Sequence, residues 1–247
     1  MLDINSLIFL FLVGFATMVQ TITGFAMGLI VLGGVTVLGL AGLAETAAVV
    51  SLISLANTLV ALRRCYRVID YSYVKFIAAA MLPMLVLGVM LLDYFSSAYY
   101  HNLQMLLGGV IVASGVLLML TPKPYAEPSG KLKKALAGVA AGLMGGMYGA
   151  AGAPLAYLMY RQPLAINVVR ASLLCLFTLS ALVRTLVVGV AGQLDTKVLT
   201  LGLIAVPLVI VVTLVTARFS HRLPDAFIRK CVFVLLILLG IFLMTGA

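Results

Sequence analysis

Apolar positions gather into eight runs along the chain, at 6–40, 43–62, 71–92, 101–120, 132–160, 167–190, 196–217 and 226–246, each bounded by charged or turn-forming residues. Most are close to the roughly 20 residues with which an α-helix crosses a hydrocarbon core about 30 Å thick. Runs of that length predict membrane-spanning helices rather than strands or surface helices. Two runs differ. Residues 6–40 and 132–160 are longer, and each is interrupted near its middle, the first at Thr21-Ile22-Thr23-Gly24 and the second by a glycine-rich stretch. Each is either one long kinked span or two half-helices forming a re-entrant hairpin.

The placement of basic residues chooses between these, because Lys and Arg concentrate on the cytoplasmic side of a membrane protein. If all eight runs cross once, Arg218, Arg222, Arg229 and Lys230 fall opposite Arg63, Arg64, Arg67, Lys123, Lys131, Lys133 and Lys134. If both interrupted runs return to their starting side, the conflict disappears. Segments 62–70, 121–134, 161–170 and 218–230 then share one face and hold every Lys and Arg except Lys75, Arg184 and Lys197. The opposite face carries Lys197 with Asp3, Glu45, Asp93 and Asp195. Hairpins are therefore expected, with both termini outside.

The sequence also matches itself at an offset of about 125 residues: Gly24 with Gly149, Asp70 with Asp195, Gly115 with Gly240, Met119 with Met244, and Pro83 near Pro207. Chance alignment is easy in apolar text, but aspartate and proline are rare here. Each half is one interrupted hairpin plus three spans, an odd number, so the second half enters the bilayer upside down. The expected fold is thus an all-α polytopic membrane protein of two inverted repeats. The first covers 1–120 (hairpin 6–40; helices 43–62, 71–92, 101–120). A cytoplasmic linker follows at 121–131, and the second repeat covers 132–247 (hairpin 132–160; helices 167–190, 196–217, 226–246). Inverted repeats whose broken helices meet at the midplane are a common transporter architecture.

Composition agrees with lipid as the solvent: 64% of residues are hydrophobic, 9% are charged, and the mean hydropathy is +1.24. Soluble domains are about 45–50% apolar and about 25% charged. A soluble enzyme, a disordered regulator and a secreted disulfide scaffold are excluded. The net charge of +9 suggests nucleic acid in a soluble chain, but here it sits in short clusters between apolar runs. No nucleic-acid partner is expected. The three cysteines lack any Cys-x-x-Cys spacing and there are only two histidines, so neither a metal nor a cofactor is implied. Met1-Leu2-Asp3 lacks the basic stretch of a signal peptide, and a multi-pass inner-membrane protein is expected.

Candidate chemistry concentrates at the two interruptions. The second reads Gly145-Gly146-Met147-Tyr148-Gly149-Ala150-Ala151-Gly152-Ala153-Pro154. Glycines permit a non-helical backbone, and Pro154 suits the first turn of a new half-helix. Such a half-helix directs unpaired N–H groups and a positive dipole end at the midplane, a natural anion site. The first interruption offers hydroxyl and amide groups on Gln20, Thr21 and Thr23, ending at Gly24. Helix packing through small residues is the rival explanation for Gly24/Gly28, Gly138/Gly142 and Gly145/Gly149. Arg170, after Pro163 and Asn167, is expected to hold an oxyanion through its bidentate fork, or else to serve topology at the interface. Arg184, about 21 Å further along the same helix, is either functional or snorkelling outward. Asn57 and Tyr148 are further polar groups at midplane depth. The expected substrate-binding set is Gln20, Thr21, Thr23, Gly24, Asn57, Tyr148, Gly149, Ala150, Gly152 and Arg170. No acidic residue sits firmly in mid-membrane, so a carboxylate proton relay is not supported.

With its duplicated half, its glycine-rich break GLMGGMYGAAGAPL (142–155) and the following PLAINVVRAS (163–172), the chain resembles the TauE/SafE family of membrane permeases over essentially its whole length. The first break, TITGFAMGL (21–29), is poorer in glycine than that family usually shows. The resemblance implies export of a small sulfur oxyanion such as sulfite, or of a C2–C3 organosulfonate. The expected partners are that anion and the lipid bilayer, with a homodimer left open. Two rivals stand beside it: an intramembrane enzyme acting on a lipid-linked phosphate, and a permease importing another small anion. The enzyme needs a base at the midplane, and Ser51, Ser54 and Ser180 have no histidine near them in sequence.

Overall fold

The computed structural model describes residues 4–98, 100–119, 125–219 and 225–245. Of the linker expected at 121–131, residues 121–124 lie outside that set, as do the two chain ends. The eight apolar runs fold as ten α-helices: α1 (Ile4–Thr23), α2 (Met27–Val37), α3 (Leu43–Leu62), α4 (Tyr71–Ala98), α5 (Tyr100–Met119), α6 (Lys131–Tyr148), α7 (Gly152–Met159), α8 (Ile166–Val190), α9 (Thr196–Phe219) and α10 (Asp225–Thr245). A single 3-10 turn, Tyr66–Val68, lies between α3 and α4. No strand occurs among the described residues.

Both long runs break, but not into equal halves. The first breaks at Gly24, leaving α1 with 20 residues and α2 with 11. The second breaks at Gly149, giving 18 residues in α6 and eight in α7. Each break falls where a residue takes left-handed backbone angles, Gly24 at φ 87° and Gly149 at φ 63°. A helix ends at such a residue, and glycine adopts the conformation without a Cβ penalty.

Packing repeats between the halves. Helix α1 lies on α9 as α6 lies on α4, and α3 lies on α9 as α8 lies on α4. The breaks pack α1 on α2 and α6 on α7, while α5 meets α10 and α3 meets α8. The short arms occupy the centre: every residue from Met27 to Thr36 is buried, as a helix apolar on all sides must be. The long helices surround them and turn apolar side chains outward, among them Phe11, Met90, Leu186 and Leu203. Among the described residues, α1, α3, α4, α8 and α9 are long and apolar enough to cross a membrane. The protein is a multi-pass membrane protein.

The closest helix pair is α4 with α6, and glycine makes it possible. A Cβ added at Gly138 would lie 2.8 Å from the Ile77 carbonyl oxygen, and one at Gly88 2.7 Å from that of Leu143. Gly142 and Gly146 press closer still on the Met81 and Leu85 carbonyls. In lipid, where water does not drive helices together, such close approach supplies the association. At the start of α4, Asp70 Oδ1 accepts from the Ser72 hydroxyl (2.6 Å) and from the amides of Ser72 (3.0 Å) and Tyr73 (3.3 Å). These donors, the Ser72 hydroxyl foremost, hold its carboxyl below the usual aspartate range.

Candidate functional site

The two breaks meet. A Cβ on Gly28, in the first turn of α2, would stand 2.5 Å from the Gly149 carbonyl oxygen. One on Gly152, at the start of α7, would stand 2.8 Å from Phe25 Cβ. Around this crossing lies a cavity of about 40 Å³. Its walls come from both breaks, from Ser51, Ser54 and Thr58 on α3, and from Phe177, Ser180 and Arg184 on α8. Each trio follows helical spacing and so presents one face. The N-terminal turns of α2 and α7 both line the cavity, and Ala26 and Ala151, the residues before them, make no side-chain cap. The first amides of α7 therefore lack the usual side-chain acceptor, whereas the first amide of α2, Met27 N–H, donates to the Gln20 side chain.

Arg184 supplies the charge. It is 1% exposed, on the wall of the cavity. Nε donates to the Gly146 carbonyl at 2.9 Å, and Nη1 donates to the Ala47 carbonyl and to Ser51 Oγ. Nη2 has no partner among the described residues, and no carboxylate pairs with the guanidinium. Guanidinium keeps its charge in proteins. A buried cation held only by neutral acceptors costs several kcal/mol of desolvation that a counter-anion would offset.

Of the residues expected from sequence, Gln20, Gly149, Ala150 and Gly152 line the cavity. Their roles are more restricted than expected. The amides of Gly149 and Ala150 donate back to the Gly145 and Met144 carbonyls (2.9 and 3.3 Å), because the left-handed Gly149 closes the end of α6 with them. Free donors at the second break start beyond them. Gln20 Oε1 accepts from Met27 N–H at 3.1 Å, and Nε2 donates to Asn57 Oδ1 at 2.9 Å. Asn57 lies behind Gln20, outside the cavity lining, and reaches Thr213. The Thr21 and Thr23 hydroxyls donate to carbonyls of their own helix, Thr17 and Val19. Tyr148 Oη donates to the Leu103 carbonyl at 3.4 Å on α5. Gly24 sits at the bend, near Tyr160 Oη.

Arg170 stands exposed in the first turns of α8, outside the cavity lining. It is Arg184, which sequence reasoning split between function and snorkelling, that reaches the crossing. A signal existed: Phe177, Ser180 and Arg184 share one helix face, and Ser51, Ser54 and Thr58 share another. Polar side chains recurring on one face of otherwise apolar spans, Ser51, Ser54 and Thr58 on one and Ser180 and Arg184 on the other, mark an inward face. Glu45, in the first turn of α3, forms an exposed ion pair with Lys197 at 3.0 Å.

The family profile described as "Sulfite exporter TauE/SafE" matches residues 9–243 of this chain. The chain belongs to the TauE/SafE family. It is 42% identical over 236 residues to "Probable sulfite/organosulfonate exporter TauE" of Cupriavidus necator, a match covering 96% of this chain and 92% of the relative. No solved structure matches. By family, this TauE/SafE protein is a membrane transporter and not an enzyme.

Proposed function

We propose that the cavity at the crossing of the two breaks is the transport site of an exporter for a compact sulfur oxyanion, sulfite or a small organosulfonate. The observation that carries the reading is Arg184: buried, charged, on the cavity wall and without a carboxylate partner. Nη2 and the first free amides of α7 act as donors to the anion, which is why an unsubstituted Gly152 matters there. Ser51, Ser54 and Ser180 line the same space and give further hydroxyls. The printed name of the Cupriavidus relative supports sulfite or an organosulfonate as the class. Size narrows it further. About 40 Å³ takes only a few water-sized groups, since one water needs about 10–15 Å³ measured in this way. Sulfite fits; a C2–C3 sulfonate requires the cavity to widen.

The two halves are inverted repeats, supported by the exchanged packing in which α1 meets α9 as α6 meets α4. Each hairpin has a long arm and a short arm, and both re-enter, placing 62–70, 121–134, 161–170 and 218–230 in the cytoplasm and both termini outside an inner membrane. Arg170 then belongs to the cytoplasmic rim and serves orientation.

The test is Arg184→Gln beside Arg170→Gln in proteoliposomes on a solid-supported membrane. Sulfite-evoked current falls at least about 100-fold in Arg184→Gln, in line with the loss of a buried charged hydrogen-bonding group worth about 3 kcal/mol or more. Arg170→Gln keeps most of it. Equal currents in parent and Arg184→Gln, with both proteins folded, would remove the site.

A further inference from the structure

A second buried polar structure lies beside the cavity, and its polarity is fixed from one end. The Thr213 hydroxyl donates to the Val209 carbonyl at 2.6 Å, so its oxygen is left to accept. Asn57 Nδ2 donates to it at 2.7 Å, which turns Asn57 Oδ1 toward Gln20. Gln20 Nε2 donates there at 2.9 Å, and its Oε1 is left to accept Met27 N–H at 3.1 Å. Four hydrogen bonds in one direction therefore join α9, α3, the end of α1 and the first amide of α2. Gln20, Asn57 and Thr213 are all buried.

Among the described residues no relay of neutral side chains of this kind joins the second break, where single bonds run from Arg184 Nε to the Gly146 carbonyl and from Tyr148 Oη to the Leu103 carbonyl. There α6 is fixed to α4 by backbone packing at Gly138, Gly142 and Gly146, contacts of shape with no exchangeable bond. The corresponding α1–α9 contact is looser, for a Cβ at Gly14 would still clear Leu208 at 3.8 Å. Directional bonds between neutral groups can be traded for bonds to water at modest net cost, whereas an interlocked backbone contact must be pulled apart. Taking the cavity as the transport site proposed above, we infer that Asn57 and Thr213 are positioning residues: through Gln20 they hold the first break shut over the cavity, and the cavity opens at that break when this chain of bonds parts. Neither residue lines the cavity; both act by orienting Gln20, which does.

Thr58 reports the opening, because it lines the cavity at the Gln20 end yet is 0% exposed. In a chain with Cys65, Cys175 and Cys231 replaced by alanine, Thr58→Cys is labelled with a water-soluble thiol reagent in detergent. Thr213→Val removes the acceptor of Asn57 Nδ2 and leaves a buried amide unsatisfied in the closed form. The expected result is labelling at least about fivefold faster, the ratio for the lower end of that penalty, with Thr213→Ser restoring the parental rate. Val50→Cys, buried against Gly149 at the second break, stays protected in both. Unchanged labelling of Thr58→Cys in Thr213→Val overturns the inference, and so does an equal rise at Val50→Cys or a failure of Thr213→Ser to restore. Sulfite binding, followed by thermal shift of the Thr213→Val protein, is retained because Arg184 is untouched. Absence of sulfite binding in the parent would instead refute the anion site and leave the labelling result to stand alone.

Discussion

Ala26 has φ 90°, the one non-glycine residue with positive φ among the described residues. An L-residue there sets its Cβ against the neighbouring carbonyl, at a cost of about 1–2 kcal/mol, and the equivalent residue before α7, Ala151, has an ordinary φ of −65°. Replacing Ala26 by glycine removes the strain and adds some chain entropy to the unfolded state. The net expectation is a gain of up to about 1 kcal/mol, or an unfolding temperature about 2–4 °C higher by the scaling for chains of this size. Thermal unfolding of the purified Ala26→Gly protein in detergent measures it, and a lower transition temperature would mean that the Ala26 methyl packs better than the strain hurts. Ala26 illustrates what sequence alone conveys at this scale. Gly24 and Gly149 advertise their bends because glycine is the residue that tolerates them, whereas an alanine forced into the same region leaves no mark. Arg184 was hidden for another reason. Its depth along α8 is computable from 1.5 Å per residue, but whether it turns to lipid headgroups or to the interior depends on α3 and α6, which sequence distance does not reveal. Arg170 follows Pro163 at a helix start beside a basic loop, and it stands exposed there.

At the scale of elements, α3 covers Leu43–Leu62 and α9 starts at Thr196, where charge and turn residues mark the ends in the sequence, while α4 runs on to Ala98. The unequal arms were not legible in this way. Composition is uniformly apolar on both sides of Gly24, so nothing in it marks α1 as the long arm and α2 as the short one. The glycines meet different neighbours by position. Gly138, Gly142 and Gly146 face α4, while Gly149 and Gly152 face the cavity. The packing set makes a sharp prediction. Gly142→Ala drives a methyl into the Met81 carbonyl and separates α6 from α4, an overpacking of typically 1–3 kcal/mol. Gly109→Ala in α5 meets nothing within 4 Å and gains helix propensity of up to about 1 kcal/mol. The two substitutions, chemically identical, are expected to shift thermal stability in opposite directions, a comparison that ordinary differential scanning in detergent makes directly. A shared sign would mean that the α4–α6 contact relaxes around an added methyl.

For the whole molecule, the question is what energy moves the anion, and the distribution of charge bears on it. The acidic side chains described stand at helix ends or in loops: Glu45 in the first turn of α3, Asp70 capping α4, Asp93 near the end of α4, Glu127 before α6 and Asp195 before α9. None lines the cavity, so no carboxylate there is available to carry a proton or a cation with the substrate. The cavity's one charged lining residue is Arg184, fixed by three protein acceptors and permanently protonated. An anion that binds and leaves such a site moves its own charge uncompensated. In an inside-negative cell this favours export by about 2.3 kcal/mol per elementary charge for each 100 mV, close to a 50-fold outward concentration ratio for a monoanion. Sulfite is a poor probe of this, because its protonation state changes near neutral pH; methanesulfonate has the same three oxygens and stays ionised throughout. Proteoliposomes loaded with methanesulfonate are expected to release it under an inside-negative potassium diffusion potential, with a current that reverses when the potential is reversed. A pH gradient imposed with the potential clamped at zero is expected to drive no net flux. Flux driven by that gradient alone would show that protons travel with the anion, and would require a titratable carrier other than the carboxylates placed here at the helix ends.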